Sequence, residues 1–560
     1  MKKLFLLVFA SILSGASLLA QTRYLDPVFT DVTVQKNVIY GSNFQVASYL
    51  FGLAKNSQRQ PLACDVYTPT GDTAKSRPIA IVLATGNFLP GAVVNRPTGS
   101  KSDSSVVELC TRLAKMGYIA VGADYRLGWG PTASTQLART YTLINAAYRG
   151  LQDLRSCIRY FKANGSTFGI DSNRVVVMGY GTGGYVTLGL SADAYSKIVT
   201  TQFPQGKFAV PVSATASIPM VRESENGDIE AKSFGFAVDS TVNPISSKFW
   251  KAGDTLCVPN TVTPSSKYQL AVNFGGAVGD LTWVDKNSPP IISIQTPNDP
   301  FAPYTSYVLS VPIGGGNTLP VVEVQGSYLI QKKLDSLGTT DPWKKLTAAA
   351  DPYRSLVAPR NLAFNPTVGT PGYQLAAIAP PGLFPIMGRF INDSGPWDWW
   401  DFSNATGGND STNISGNGNM LAARTKFPLA ADNVKATLEA GRTAKLYIDT
   451  LVKFVAPRAC ITLNLPCKSL VTGTQDFLAN DTKLAIYPNP SFASVTFQSE
   501  VSNRMQTIEL YDLSGRSVRV ISNINNDTYT INREGLAQGM YIAKVQFEGG
   551  LLTRKLVFQD

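Results

Sequence analysis

Residues 174–184 read RVVVMGYGTGG. Val175, Val176 and Val177 form a β-branched run suited to a buried strand. Gly179, Gly181, Gly183 and Gly184 then break the run, and the following YVTLGL has helical texture. A strand, a sharp turn and a helix therefore stand in one line. That is the repeating unit of a parallel sheet covered by helices.

Reading outward, the same alternation continues. PLACDVYTP (61–69) alternates Leu62, Cys64 and Val66 and reads as a strand, and PIAIVLATG (78–86) is a continuous apolar run. DSSVVELCTRLAKMG (103–117) reads as a helix, with Val106, Leu109, Cys110 and Leu113 on one face. Ser105 and Glu108 are placed for a capping box, and Gly117 is a stop. YIAVGADYR (118–126) is the next strand. Leu143, Ala147, Leu151, Leu154, Ile158 and Phe161 mark a second amphipathic helix. YQLAVNFGG (268–276) and PPIISIQTP (289–297) read as two more buried strands. The order predicts a mostly parallel, doubly wound α/β sheet with right-handed crossovers. Segments 200–265 and 305–395, rich in Pro and Gly, are expected as insertions or a lid, and a helix over 433–455 closes the domain. Residues 21–60 give no firm assignment.

The chain has 560 residues, 44% apolar and 16% charged, which points to globular domains rather than disorder. MKKLFLLVFASILSGASLLAQ (1–21) has a basic start, a short apolar stretch and small residues, so 1–20 is expected to be a secretory signal peptide. No other run reaches membrane length, so no membrane span is expected. The formal charge of +11 is scattered without a dense Lys/Arg cluster, which argues against nucleic-acid binding. Of six cysteines, Cys460 and Cys467 are close enough in sequence to pair. Cys64, Cys110, Cys157 and Cys257 have no readable connectivity, and buried free thiols are an equal reading. The chain contains no histidine, so imidazole is absent both as base and as metal ligand. Its carboxylates show no metal-binding spacing, and neither a metal nor any other cofactor is expected. After a polar linker at 471–482, short alternating segments such as SVTFQS, TIELYDLSG and MYIAKVQF predict a small antiparallel β-sandwich over 483–560.

From residue 61 to about 455, within a domain bounded at 21–470, the chain resembles the α/β-hydrolase family in its esterase and dienelactone-hydrolase-like branches. Four segments carry the likeness in the family's order: the strand ending in Gly86-Asn87, GADYRLG (122–128), FGIDSNRVVVMGYGTGG (168–184) and PPIISIQTPNDPFAPY (289–304). The resemblance implies an oxyanion loop at Gly86 and Asn87, a nucleophile elbow at Gly179–Gly183 and a triad acid at Asp299. The C-terminal segment resembles the type A sorting domain of the type IX secretion system through YPNP (487–490), YDLSGR (511–516), LAQGMYIAKV (536–545) and RKLVFQ (554–559). This second likeness implies a Bacteroidetes-type cell, engagement of the secretion machinery through 483–560, passage through the periplasm and outer membrane, and a secreted or cell-surface product. A carbohydrate-binding or adhesive sandwich is the other reading of those strands.

A hydrolase of this family needs a serine at the elbow, a histidine to take its proton and an acid to orient the histidine. Here the serine position is Gly181 and no histidine exists. Thr182 lies one residue past that position, and either a substitute nucleophile or a helix N-cap suits it. Asp299 is either the remnant acid or, within NDP, a turn residue. No S-x-x-K stands at a suitable turn. PWDWWDF (396–402) groups Trp397, Trp399 and Trp400, as packing or as a ligand platform. The expectation is a secreted pseudo-hydrolase that binds a small molecule, glycan or protein, adheres, or plays a structural part. The alternative is a carboxylic-ester hydrolase with a non-standard site.

Overall fold

A computed structural model describes residues 23–352, 379–385, 433–470 and 484–560. Within these spans it leaves out 53–57, 91–98, 203–206, 261–262, 298, 300, 315–316, 349, 468–469, 500–503, 513–515 and 548–549. The expected signal peptide (1–20), the linker (471–482) and Trp397, Trp399 and Trp400 lie outside the described residues. The chain divides into two compact units, Met1–Lys468 and Ser469–Asp560.

The first unit is built on eight strands: β1 Val32–Gln45, β2 Gln58–Pro69, β3 Arg77–Leu83, β4 Ile119–Ala123, β5 Ile170–Tyr180, β6 Leu270–Phe274, β7 Ile291–Gln295 and, after the hairpin β8 Ser306–Gly314 and β9 Asn317–Gln325, β10 Leu383–Pro385. Their order across the sheet is β1-β2-β4-β3-β5-β6-β7-β10. β2 pairs antiparallel to both neighbours, and every pairing from β4 to β10 is parallel. Every residue of β3, β4, β6 and β7 is buried, which is why those segments read as mostly apolar runs rather than alternations. The expected doubly wound α/β sheet is therefore present.

Two helices set the geometry of the site. α1, Ser104–Lys115, packs on β4, and α2, Gln136–Ala163, packs against β1, β5 and α3, Thr182–Gly189. Gly150 allows the α2–α3 contact, since a Cβ there would lie 2.8 Å from Val186 Cγ2. The expected capping box of α1 does not form. The N-cap is Asp103, whose carboxylate accepts the backbone N–H groups of Gly99 and Ser100 behind it, while Glu108 pairs with Arg112 at 2.7 Å. The described part of 305–395 contains the β8–β9 hairpin and α4, Ser327–Ser336. α5, Asn433–Thr462, packs against α1, and just beyond its end Cys467 forms a disulfide with Cys460. Cys64, Cys110, Cys157 and Cys257 are buried thiols.

β1 escaped the sequence reading for a physical reason. It is an edge strand, mostly exposed over its first half, and its pairing with β2 shifts register twice, with Asn37 at φ 57°. Bulges break the period of two on which strand recognition rests.

The second unit has a three-stranded antiparallel sheet (Ala485–Tyr487, Ser494–Gln498, Thr528–Asn532) and a four-stranded one (Ser517–Asn526, Met505–Tyr511, Gly539–Phe547, Gly550–Phe558). Alternate residues such as Val495, Phe497, Ile508, Leu510, Ala543 and Val545 form its core, as in a sandwich.

Candidate functional site

β5 ends at Tyr180, and the chain turns at Gly181 (φ 49°, ψ −110°), which is the N-cap of α3. The flanking glycines are dictated by close approach. A Cβ at Gly179 would lie 2.1 Å from the Gly183 carbonyl oxygen. One at Gly183 would lie 2.7 Å from the carbonyl oxygens of Leu83 and Ala84. The first turn of α3 thus presses directly onto the ends of β5 and β3, and only glycine leaves room. Gly181 N–H donates to the Phe274 carbonyl at 2.8 Å, tying the turn to β6. A sharp strand–turn–helix of this kind exposes the residue at its apex, and here that residue is Gly181.

Beside it runs the loop after β3. Gly86 has φ 144°, and Asn87 and Phe88 have φ 58° and 54°, a left-handed pair of non-glycine residues. The loop is held from the stretch after β4. Trp129 Nε1 donates to the Asn87 carbonyl at 2.8 Å, and Gly128 N–H donates to the Phe88 carbonyl at 2.7 Å.

Thr182 is the first residue of α3 rather than its cap, and no side chain caps this helix. Its buried hydroxyl lies 2.9 Å from the Tyr125 hydroxyl, which is 3.0 Å from the Ala84 carbonyl. A carbonyl only accepts, so Tyr125 donates its single proton to Ala84 and Thr182 donates to Tyr125. Burial pushes the Tyr125 phenol well above its ordinary pKa, despite the opposing bond from Thr182, so it stays neutral and takes up no proton.

Asp299, 3% exposed, follows β7. Its carboxylate accepts the backbone N–H groups of Phe301 at 2.8 Å and Ala302 at 3.2 Å and the Gln295 amide at 3.4 Å. Those bonds close an Asx turn. Asp299 does not line the cavity described next, whereas Phe301 does.

Gly181, Thr182, Thr85 and Asn87 line a cavity of about 210 Å³. α2 contributes Leu143, Ile144 and Leu151, and the hairpin contributes Val311, Val322 and Val324. The rings of Trp129 and Trp283 also line the cavity, and among the described residues no lining residue carries a charge. Among the described residues no group of His, Cys, Asp and Glu could hold a metal ion. Sequence reasoning missed Trp129, Trp283 and the whole hairpin. The WG that ends GADYRLGWG lay just past a recognised segment, and aromatic side chains outside periodic runs carry no positional signal.

Comparison with known proteins matches residues 64–209 to the BD-FAE family and residues 485–559 to the secretion system C-terminal sorting domain. Esterase S of Drosophila virilis is 25% identical over 172 residues, covering 30% of this chain and 27% of that protein. Carboxylesterase patB of Penicillium expansum is 34% identical over 156 residues, covering 26% of each. The chain thus spans about a quarter of the length of these curated relatives. Among solved structures, a truncated carbohydrate esterase from gut microbiota aligns at 14% identity and a TM-score of 0.26, covering 50% of this chain and 81% of that one. Brefeldin A esterase aligns at 18% identity and a TM-score of 0.21, covering 34% and 43%. Scores this low carry no weight for function.

Proposed function

We propose that this chain, an esterase-like alpha/beta-hydrolase domain joined to a type IX secretion sorting domain and so exported to the cell surface or beyond it, works by holding a ligand rather than by cleaving one. The observation that carries the reading is Gly181 at the elbow of a chain with no histidine. Acyl transfer on this fold needs an attacking side chain and a base that accepts its proton. The neighbouring hydroxyl, Thr182, spends its proton on Tyr125, and the buried acid, Asp299, is engaged by the backbone of its own turn.

Binding is preferred to a purely structural role because the space beside the turn is an open apolar cavity rather than packed side chains. The sorting tail supplies the contact with the secretion machinery, and among the described residues no helix is long and apolar enough to cross a membrane.

The test is hydrolysis of p-nitrophenyl acetate and butyrate by the purified protein. The expected rate equals the uncatalysed background and is unchanged in Thr182→Ala and Asp299→Ala. Turnover above background that disappears in either variant would establish a non-standard ester hydrolase instead.

A further inference from the structure

We infer that the elbow cavity takes an uncharged, apolar small molecule about the size of one substituted aromatic ring. This inference rests on the binding reading above and names its ligand class. Three observations carry it: the chemistry of the wall, the fate of its hydrogen-bonding groups, and its volume.

Among the described residues the wall has no charged side chain, and most of its area is apolar, with aliphatic and aromatic groups from α2 and the hairpin and from Phe88, Trp129, Trp283 and Phe301. Four of its polar side chains are turned into the protein, and Thr85, Asn87 and Ser310 also line the cavity. Tyr148 donates to the Gly227 carbonyl at 3.1 Å and Tyr185 to the Phe301 carbonyl at 2.7 Å. Trp129 donates to Asn87 and Thr182 to Tyr125. A charged or hydroxyl-rich ligand would lose its hydration and find few side-chain partners, so such ligands are rejected. An apolar one gains the full transfer from water.

The volume sets the size. An apolar cavity of about 150 Å³ stays dry and accepts benzene, and this one measures about 210 Å³. The wall is also fixed in place. On α2, Gln136 Nε2 and Thr140 Oγ1 both donate to the Val321 carbonyl, at 3.1 and 2.6 Å, and Arg139 Nε donates to the Pro320 carbonyl at 3.0 Å. These bonds clamp β9 against the helix, so the site is formed before a ligand arrives.

The experiment titrates the full chain with toluene, benzoate and glucose, read by isothermal calorimetry and by tryptophan fluorescence, since Trp129 and Trp283 face the cavity. Toluene is expected to bind saturably, benzoate at least about 100-fold more weakly because its charge must be desolvated, and glucose not at all. Ala147→Phe, which fills the cavity from α2, is expected to abolish toluene binding. Should that variant not fold, Leu143→Ala enlarges the same space and is expected to shift preference from toluene toward naphthalene. Benzoate or glucose binding as tightly as toluene, or no toluene binding to the unaltered chain, overturns the inference. Failure to bind toluene by a protein that hydrolyses no ester refutes the ligand class alone. Thr182-dependent ester turnover refutes the binding reading itself.

Discussion

Gly181→Ser places a hydroxyl on the turn where this fold usually carries its nucleophile, and it is expected to leave the protein without esterase activity. The size of the effect follows from how nucleophile and base act together. In serine hydrolases, removing either member costs about as much as removing both, on the order of 10⁶-fold in kcat. Restoring one member to a chain that lacks the other therefore recovers almost nothing. The adjoining hydroxyls of Thr182 and Tyr125 have their protons already directed toward the Ala84 carbonyl. A side chain at φ 49° and ψ −110° also stores strain, on the order of 1–3 kcal/mol. The variant should thus be less stable and no more active. The assay is p-nitrophenyl acetate hydrolysis with pre-steady-state mixing, alongside a thermal melt. The expected rate lies within about threefold of the unaltered protein, with no burst. A stoichiometric burst of p-nitrophenolate, or a rise of about 100-fold, would show that a base does serve this turn and would refute the reasoning.

Other outcomes follow from the same geometry. Gly179→Ala forces a Cβ to 2.1 Å from the Gly183 carbonyl oxygen, so the variant should fail to accumulate as folded protein, checked by yield and circular dichroism. Asp153→Ala strands the buried Arg126 guanidinium, which Asp153 binds at 2.9 Å, and should lower unfolding free energy by about 3–5 kcal/mol in urea; a loss under about 1 kcal/mol would contradict this. Desolvation pushes the Asp103 carboxyl up to about 7, Asp124 adding to it and the Gly99 and Ser100 N–H groups opposing it. Its unfolded value is about 4, so the folded state holds the extra proton and the stability it contributes is lost as pH rises from about 4 to about 7. The melting advantage of Asp103→Asn over the unaltered protein should therefore grow across that window and level off above it. Opening the Cys460–Cys467 disulfide, whose partners are 7 residues apart, by Cys467→Ser should cost about 2.5 kcal/mol in the loop-entropy account, measured by urea unfolding of the unreduced protein.

How legible each part was depended on how local its cause is. The strands buried on both faces were readable because burial on both sides favours apolar residues at most positions, as in β3, β4, β6 and β7, with Arg77, Asn273, Ser293 and Gln295 the buried polar exceptions. The disulfide between Cys460 and Cys467 joins near neighbours, so spacing alone made it a candidate. β1 was illegible because its register is set by bulges against β2, and the hairpin over the cavity because its inward side is defined only by what it covers. The cap of α1 was misjudged for a related reason. Ser105 and Glu108 have the right spacing, yet Asp103 reaches back to the loop before the helix.

By itself the sequence determined the α/β order of elements, the G-x-G-x-G turn with glycine at its centre, the absence of any imidazole and the sorting-type tail. These are properties of residue identity and short-range sterics, which chain order alone expresses. Only the tertiary structure decided that the Thr182 hydroxyl is spent on Tyr125, which of the two readings of Asp299 holds, and that Trp129, Trp283 and the hairpin line a cavity beside Gly181 whose described wall is uncharged. The contacts of Thr182 and of the cavity wall join segments far apart in the chain, such as Tyr125 with Thr182 or Gln136 with Val321, whereas the Asp299 turn is local and stood as one of two readings of NDP. No local pattern encodes which distant partner a donor will meet.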